Sequence, residues 1–157
     1  MKTILLLTGK TTDEFINKLT LGYADRLSHY LDFEIQVIPD LKNTRHLSAE
    51  QQKTKEGELI CKAVGNADAV VLLDERGQQP GSVEFANRIA RFQQAGLRRL
   101  VFVIGGPYGF SEAVYQRATH TLSLSKMTFS HQMVRLIFIE QLYRAMTILK
   151  GEPYHHE

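Results

Sequence analysis

The residues of this 157-residue chain that could do chemistry gather where apolar runs end. Asp74-Glu75-Arg76-Gly77 follows one run, Gly105-Gly106-Pro107-Tyr108-Gly109-Phe110 another, and Ser125-Lys126-Met127-Thr128-Phe129 a third. Glycine has no Cβ and admits positive φ, so the second loop can bring backbone N–H and C=O groups close to a ligand. Its spacing is not GxGxxG, and no nearby acidic residue completes a ribose site, so it is no dinucleotide fingerprint. Gly9-Lys10-Thr11 suggests a phosphate loop, but that motif needs a further glycine at the place held by Ile4. Asp74 and Glu75 are adjacent on a loop and read as a solvated turn rather than an acid–base pair. His155 and His156 lack a second ligand cluster at zinc spacing. His131 and Arg135, one helical turn apart, share a face that is either RNA-facing or simply solvated.

These residues need elements to position them, and the hydrophobic pattern supplies an alternating series. Strands are expected at 4–8, 33–38, 67–73 and 100–104, each a nearly continuous apolar run of the kind buried on both sheet faces. Capping boxes at Thr11/Glu14 and Ser48/Gln51 open helices to about Tyr30 and Gly65. Ser82 and Ser111 cap two more. Apolar Leu122 and Leu124 alternate with Ser123 and Ser125, marking a fifth strand, and a break at 126–129 precedes Ser130, the expected N-cap of a helix of about twenty residues. That helix is apolar on more than one face, which implies a partner beyond its own sheet. The series predicts one α/β domain over residues 1–157, three layers around a mostly parallel sheet. Ligands of such sheets bind beyond the carboxyl ends of the strands, so the three loops converge if their strands are neighbours.

The totals exclude several classes. A formal charge of +2 is too small to mark a nucleic-acid binder by itself, so any RNA surface must be local. The single cysteine, Cys61, cannot form an intrachain disulfide and reads as a small buried thiol. The apolar run near the start is too short to span a membrane and lacks a signal-peptide cleavage pattern, so a cytoplasmic protein is expected. On these grounds alone, a flavodoxin-like nucleotide binder would also fit.

Motifs along the whole chain carry a more specific resemblance. They are Gly9-Lys10, Leu73-Asp74, Ser82 with Glu84-Phe85-Ala86, Ile104-Gly105-Gly106-Pro107 and Ser125-Lys126-Met127-Thr128. His131-Gln132-Met133-Val134-Arg135, Glu140-Gln141-Leu142-Tyr143-Arg144-Ala145 and Pro153-Tyr154-His155 follow. In this order the chain resembles the ribosomal RNA large subunit methyltransferase H (RlmH) family of the SPOUT superfamily. The resemblance implies a C-terminal deep trefoil knot, which no periodicity could reveal. It implies a homodimer, S-adenosylmethionine as cofactor, and methylation of N3 of a pseudouridine in a 23S rRNA hairpin loop on the assembled ribosome. Neither a membrane nor DNA is expected as a partner. Carried over by position, Leu73, Gly105, Leu124, Ser125, Lys126, Met127, Thr128 and Phe129 would bind the cofactor. Arg144, Tyr154 and His155 would form the catalytic group, with one subunit's tail serving the other. Many relatives carry Arg or Lys after the Tyr-His pair, where this chain has His156. Any anion grip there would be weaker near neutral pH. Lys42, Arg45, Arg76 and Arg135 are the expected RNA contacts.

Overall fold

The computed structural model describes residues 1–156. Five strands, β1 (Lys2–Thr8), β2 (Asp32–Ile38), β3 (Ala69–Gln78), β4 (Arg99–Ile104) and β5 (His120–Leu122), form one sheet in the order β2-β1-β4-β3-β5. Every pairing is parallel. Alternate strand residues enter two cores. Leu5, Leu7, Val71 and Phe102 pack with side chains of α1 (Glu14–Leu27), α3 (Ser82–Gln94) and α5 (Met133–Lys150). Ile4, Leu6, Val70 and Val101 pack with α2 (Ala49–Val64) and α4 (Glu112–Arg117). The three layers follow from this two-residue period on strands buried on both faces. Cys61 is half-buried and packs at the edge of the second core.

Three boundaries differ from the sequence pattern, each for a local reason. The capping box at Ser48/Gln51 forms as expected, whereas Asp13, not Thr11, caps α1 by accepting from Ile16 N at 3.0 Å. The Thr11 hydroxyl instead accepts from Arg135 Nη1 at 2.9 Å, and α1 ends at Leu27, before Tyr30. Residues 74–78, read as loop, continue β3 and pair with β5 after a register shift between Leu73 and Gln78. Only glycine fits at 77, because a Cβ there would lie 2.7 Å from the Leu122 amide nitrogen. Conversely, residues 123–125 do not extend β5. Ser123 N still donates to Gln78 O at 2.8 Å, but beyond it Ser123 Oγ donates to the Ser125 carbonyl at 2.9 Å and Ser125 Oγ accepts from Met127 N at 2.9 Å, so local side-chain bonds take over from the ladder. Helix α5 begins at Met133, three residues after Ser130, whose hydroxyl still accepts from Met133 N at 3.1 Å.

The last helix buries Phe138, Ile139, Leu142, Ala145 and Met146 completely or nearly so. Beside that buried stripe Met133 remains exposed, as do Phe15 and Leu19 on the adjacent helix α1. No helix among the described residues is long and apolar enough to cross a membrane.

Candidate functional site

Strands β4, β3 and β5 are neighbours, so the three loops that leave their carboxyl ends do converge. They enclose a cleft of about 590 Å³, a size suited to an organic cofactor or a nucleoside. Leu73, Gly105, Leu124, Ser125, Met127, Thr128 and Phe129 line it. Lys126 does not and is exposed. Across from the serine-rich segment lie Asp74, Arg76, Tyr108 and Tyr115, with His131 and Val134 at the start of the last helix.

The glycine loop is shaped by what lies behind it. A Cβ on Gly105 would stand 2.9 Å from the Phe110 ring, which is buried and meets Tyr115 edge-on at 5.9 Å. One on Gly106 would stand 2.8 Å from the buried Glu56 carboxylate. The space that side chains at 105 and 106 would fill is thus already taken by Phe110 and by Glu56 of α2, and this wall of the cleft stays bare backbone. Thr128 Oγ1 donates to Glu75 Oε2 at 3.2 Å and ties the third loop to the first.

Asp74 is not part of a solvated turn. Its side chain is 9% exposed and accepts from Tyr115 OH and from Arg76 N. Burial pushes its pKa up, but the hydrogen bonds from Tyr115 and Arg76 outweigh that and hold the carboxyl below its usual value. Burial and the Asp74 carboxylate push the Tyr115 phenol up.

Arg135, expected at an RNA-facing or solvated position, is instead fully buried. Its guanidinium donates to Thr8 O at 2.8 Å, Gly9 O and Thr11 Oγ1 at 2.9 Å, and His131 O at 3.1 Å. Burial lowers its pKa against the pull of Asp40. Next to it, Gln132 accepts from Thr12 N at 2.8 Å and donates to Lys10 O at 3.3 Å. Together these residues clasp the end of β1 to the start of α5, just where the cleft-lining segment ends. Lys42, Arg45 and Arg76 are exposed, as an RNA contact requires.

Arg144, Tyr154 and His155 do meet, at a hub that sequence reasoning did not assign. Glu140 Oε1 accepts from Arg144 Nη2 at 2.6 Å and from Tyr154 OH at 2.9 Å. Arg144 Nη1 lies 3.2 Å from His155 Nδ1 and stacks over the Tyr154 ring at 4.8 Å. A guanidinium only donates, so Nδ1 is the acceptor in this contact. Burial, then contacts with Tyr23 and Glu140, push the Tyr154 phenol far up, so it stays a donor. From α1, Tyr23 OH lies 3.4 Å from Tyr154 OH, and from the turn after that helix Tyr30 OH donates to Glu152 at 2.6 Å, an interaction that pushes Tyr30 up to about 12. The four-residue spacing of Glu140 and Arg144 was the available signal for the hub. Within the chain the hub and the cleft are apart: Arg144 lies ten residues beyond Val134 on α5, about 15 Å of helix rise. Among the described residues no cluster could hold a metal ion.

A parallel α/β sheet with a glycine-walled cleft at its strand ends defines an enzyme of the kind that holds an organic cofactor there. Comparison with known proteins makes this particular. A family model described as "Predicted SPOUT methyltransferase" matches residues 1–155. The chain is 60% identical over 152 residues to the ribosomal RNA large subunit methyltransferase H of Christiangramia forsetii, covering 97% of each chain. It is 57% identical over 157 residues to the proteins of that name from Parabacteroides distasonis and Bacteroides thetaiotaomicron, covering all of each. Among solved structures, a probable methyltransferase from Bordetella pertussis shares the fold at TM-score 0.56 and 13% identity, covering 92% of this chain and 96% of that one. The chain belongs to the SPOUT methyltransferase family.

Proposed function

We propose that this protein is a homodimer that uses S-adenosylmethionine to methylate N3 of a pseudouridine in a 23S rRNA hairpin loop on the assembled ribosome. The observation that carries the reading is the full-length identity of 57–60% to proteins named for large-subunit rRNA methylation. The trefoil knot belongs to the same reading, with residues 124–129 as part of the cofactor-binding segment.

The cleft fits the cofactor. Its wall at Gly105 is bare backbone and its opposite wall is the short polar run from Ser125 to Thr128, so main-chain groups can hold adenine and the methionine moiety. Leu73, Leu124 and Phe129 supply apolar surface. When bound, S-adenosylmethionine supplies an electrophilic methyl on its sulfonium. The chain must then align the N3 lone pair with that methyl and ease the loss of the imide proton.

The tail group suits the second task. Arg144 keeps N–H donors beyond the one given to Glu140, whereas the single Tyr154 O–H is spent on Glu140 and fixes the tail beside it. Such a group stabilises negative charge developing on the imide oxygens, and the proton passes to water. Because hub and cleft are apart within one protomer, the tail of one subunit completes the cleft of the other. The exposed apolar side chains Phe15, Leu19 and Met133 support a second copy seated against α1 and α5. A protein at this address is cytoplasmic.

The test is transfer of labelled methyl to ribosomes from a strain lacking this enzyme, with naked 23S rRNA and transfer RNA alongside. Label in assembled ribosomes alone, mapped to one pseudouridine N3, is the expected result. Label in transfer RNA replaces the substrate, and no transfer to any RNA overturns the reading.

A further inference from the structure

Helix α1 carries a cation that neither the fold nor the tail hub engages by hydrogen bonding. Arg26 is exposed, yet its guanidinium carbon lies 5.2 Å from the centroid of the Tyr23 ring and 5.8 Å from that of Tyr143. Its side chain makes no hydrogen bond or ion pair with the described residues. A basic residue in the last turn of a helix also complements the helix dipole, but a lysine would do that equally well. Stacking on two rings is a feature of the planar guanidinium, and it leaves all five donors available.

The rings under Arg26 continue into the tail. Tyr143 meets Tyr23 at 5.7 Å, Tyr30 at 5.9 Å and Tyr154 at 4.9 Å. Tyr154 in turn carries the Arg144 guanidinium. One aromatic shelf therefore holds two arginines, of which Arg144 is neutralised by Glu140 and Arg26 is not. Arginines interleaved with aromatic rings are the composition of surfaces that take a phosphate backbone beside unstacked bases. An arginine already fixed on rings loses little further freedom when it binds.

We propose that Arg26 binds a backbone phosphate of the substrate RNA, flanking the nucleotide that the tail of the same subunit presents to its partner's cleft. The inference rests on the reading of the tail as part of the methyl-transfer site. It assigns RNA gripping to the tail-donating subunit, which also explains how a chain of net charge +2 holds a polyanion: the basic contact is local.

The experiment measures ribosome binding and methyl transfer across a salt series for the wild-type dimer, Arg26→Ala and Arg26→Lys. Loss of one phosphate contact reduces the slope of log affinity against log salt by about 0.7 to 0.9, so from about 50 to about 200 mM salt the wild type should lose roughly threefold more affinity than Arg26→Ala. Arg26→Lys should restore the slope but not the full affinity. A second arm uses mixed dimers. Arg26→Ala placed in a tail-donating chain whose cleft is blocked by Gly105→Arg should weaken ribosome use, whereas Arg26→Ala in a chain lacking residues 154–157 should not. An unchanged salt slope in Arg26→Ala overturns the inference, as does a loss confined to thermal stability or to turnover at saturating ribosome. Absence of methyl transfer by the wild type itself removes the function reading, and this inference with it. A working wild type matched by Arg26→Ala removes this inference alone.

Discussion

Replacing Arg135 by methionine tests whether the buried guanidinium is the clasp that seats the cleft-lining segment. The side chain is completely enclosed, and among the described residues its partners are three carbonyls and one hydroxyl, with no carboxylate bonded to it. Methionine keeps much of the volume but leaves the carbonyls of Thr8 and Gly9 buried without this donor. Each orphaned acceptor costs about 1–3 kcal/mol. Relief of the guanidinium's own desolvation offsets part of this, leaving a net loss of about 2–4 kcal/mol. For a chain of this size that corresponds to a fall in Tm of roughly 4–16 °C. Urea unfolding at fixed protein concentration measures the loss, and calorimetry with S-adenosylmethionine measures its reach into the cleft. Arg135→Lys should lose nearly as much, because a single ammonium cannot serve acceptors on both sides of the fork. A loss below about 0.5 kcal/mol in Arg135→Met, the range of ordinary surface changes, would refute the clasp.

Gly105→Arg should abolish S-adenosylmethionine binding by calorimetry while circular dichroism and native mass stay as in the wild type, since a side chain there must turn away from Phe110 into the cleft. Glu140→Gln should sharply lower methyl transfer without changing cofactor affinity, because the hub that orients Arg144 and Tyr154 loses its charge; equal turnover in variant and wild type would count against the hub. Asp74 has a folded pKa below its unfolded value, so its contribution to stability is complete above about pH 4 and drains as pH falls through the folded value. Asp74→Asn should accordingly be less stable than wild type at neutral pH, and the two unfolding curves should converge in acid; a gap that persists at about pH 2 would show that Asp74 acts through packing instead.

Much of this fold could be read from the chain because its strands are buried on both faces. Runs such as Ile4–Leu7 and Leu100–Ile104 admit little besides a central parallel strand, and Ser48/Gln51 announced its helix correctly. The misread places are those where a distant partner overrides a local signal. Thr11 has the right type and spacing for a cap, but Arg135, far along the chain, takes its hydroxyl. Residues 74–78 look like a turn, and only the arrival of β5 makes them a strand. Arg135 itself looked solvated because a buried arginine bonded to carbonyls leaves no pattern in sequence. The three cleft-lining loops were legible from the strand ends, whereas the individual cofactor contacts within them came from family resemblance. Glu140, Tyr23 and Tyr30 went unassigned because what they hold, the tail, lies next to them only in the folded chain.

The central claim is that the cleft of one subunit and the tail of the other form a single methyl-transfer site for ribosomal RNA. Mixing Gly105→Arg with a chain lacking residues 154–157, each inactive alone, tests it most directly. Random reassortment makes about half the dimers mixed, each with one whole site, so labelled methyl transfer to ribosomes should recover to about a quarter of the wild-type rate. No recovery, in a mixture shown by mass to contain the mixed dimer, would place tail and cleft in the same subunit and contradict the account.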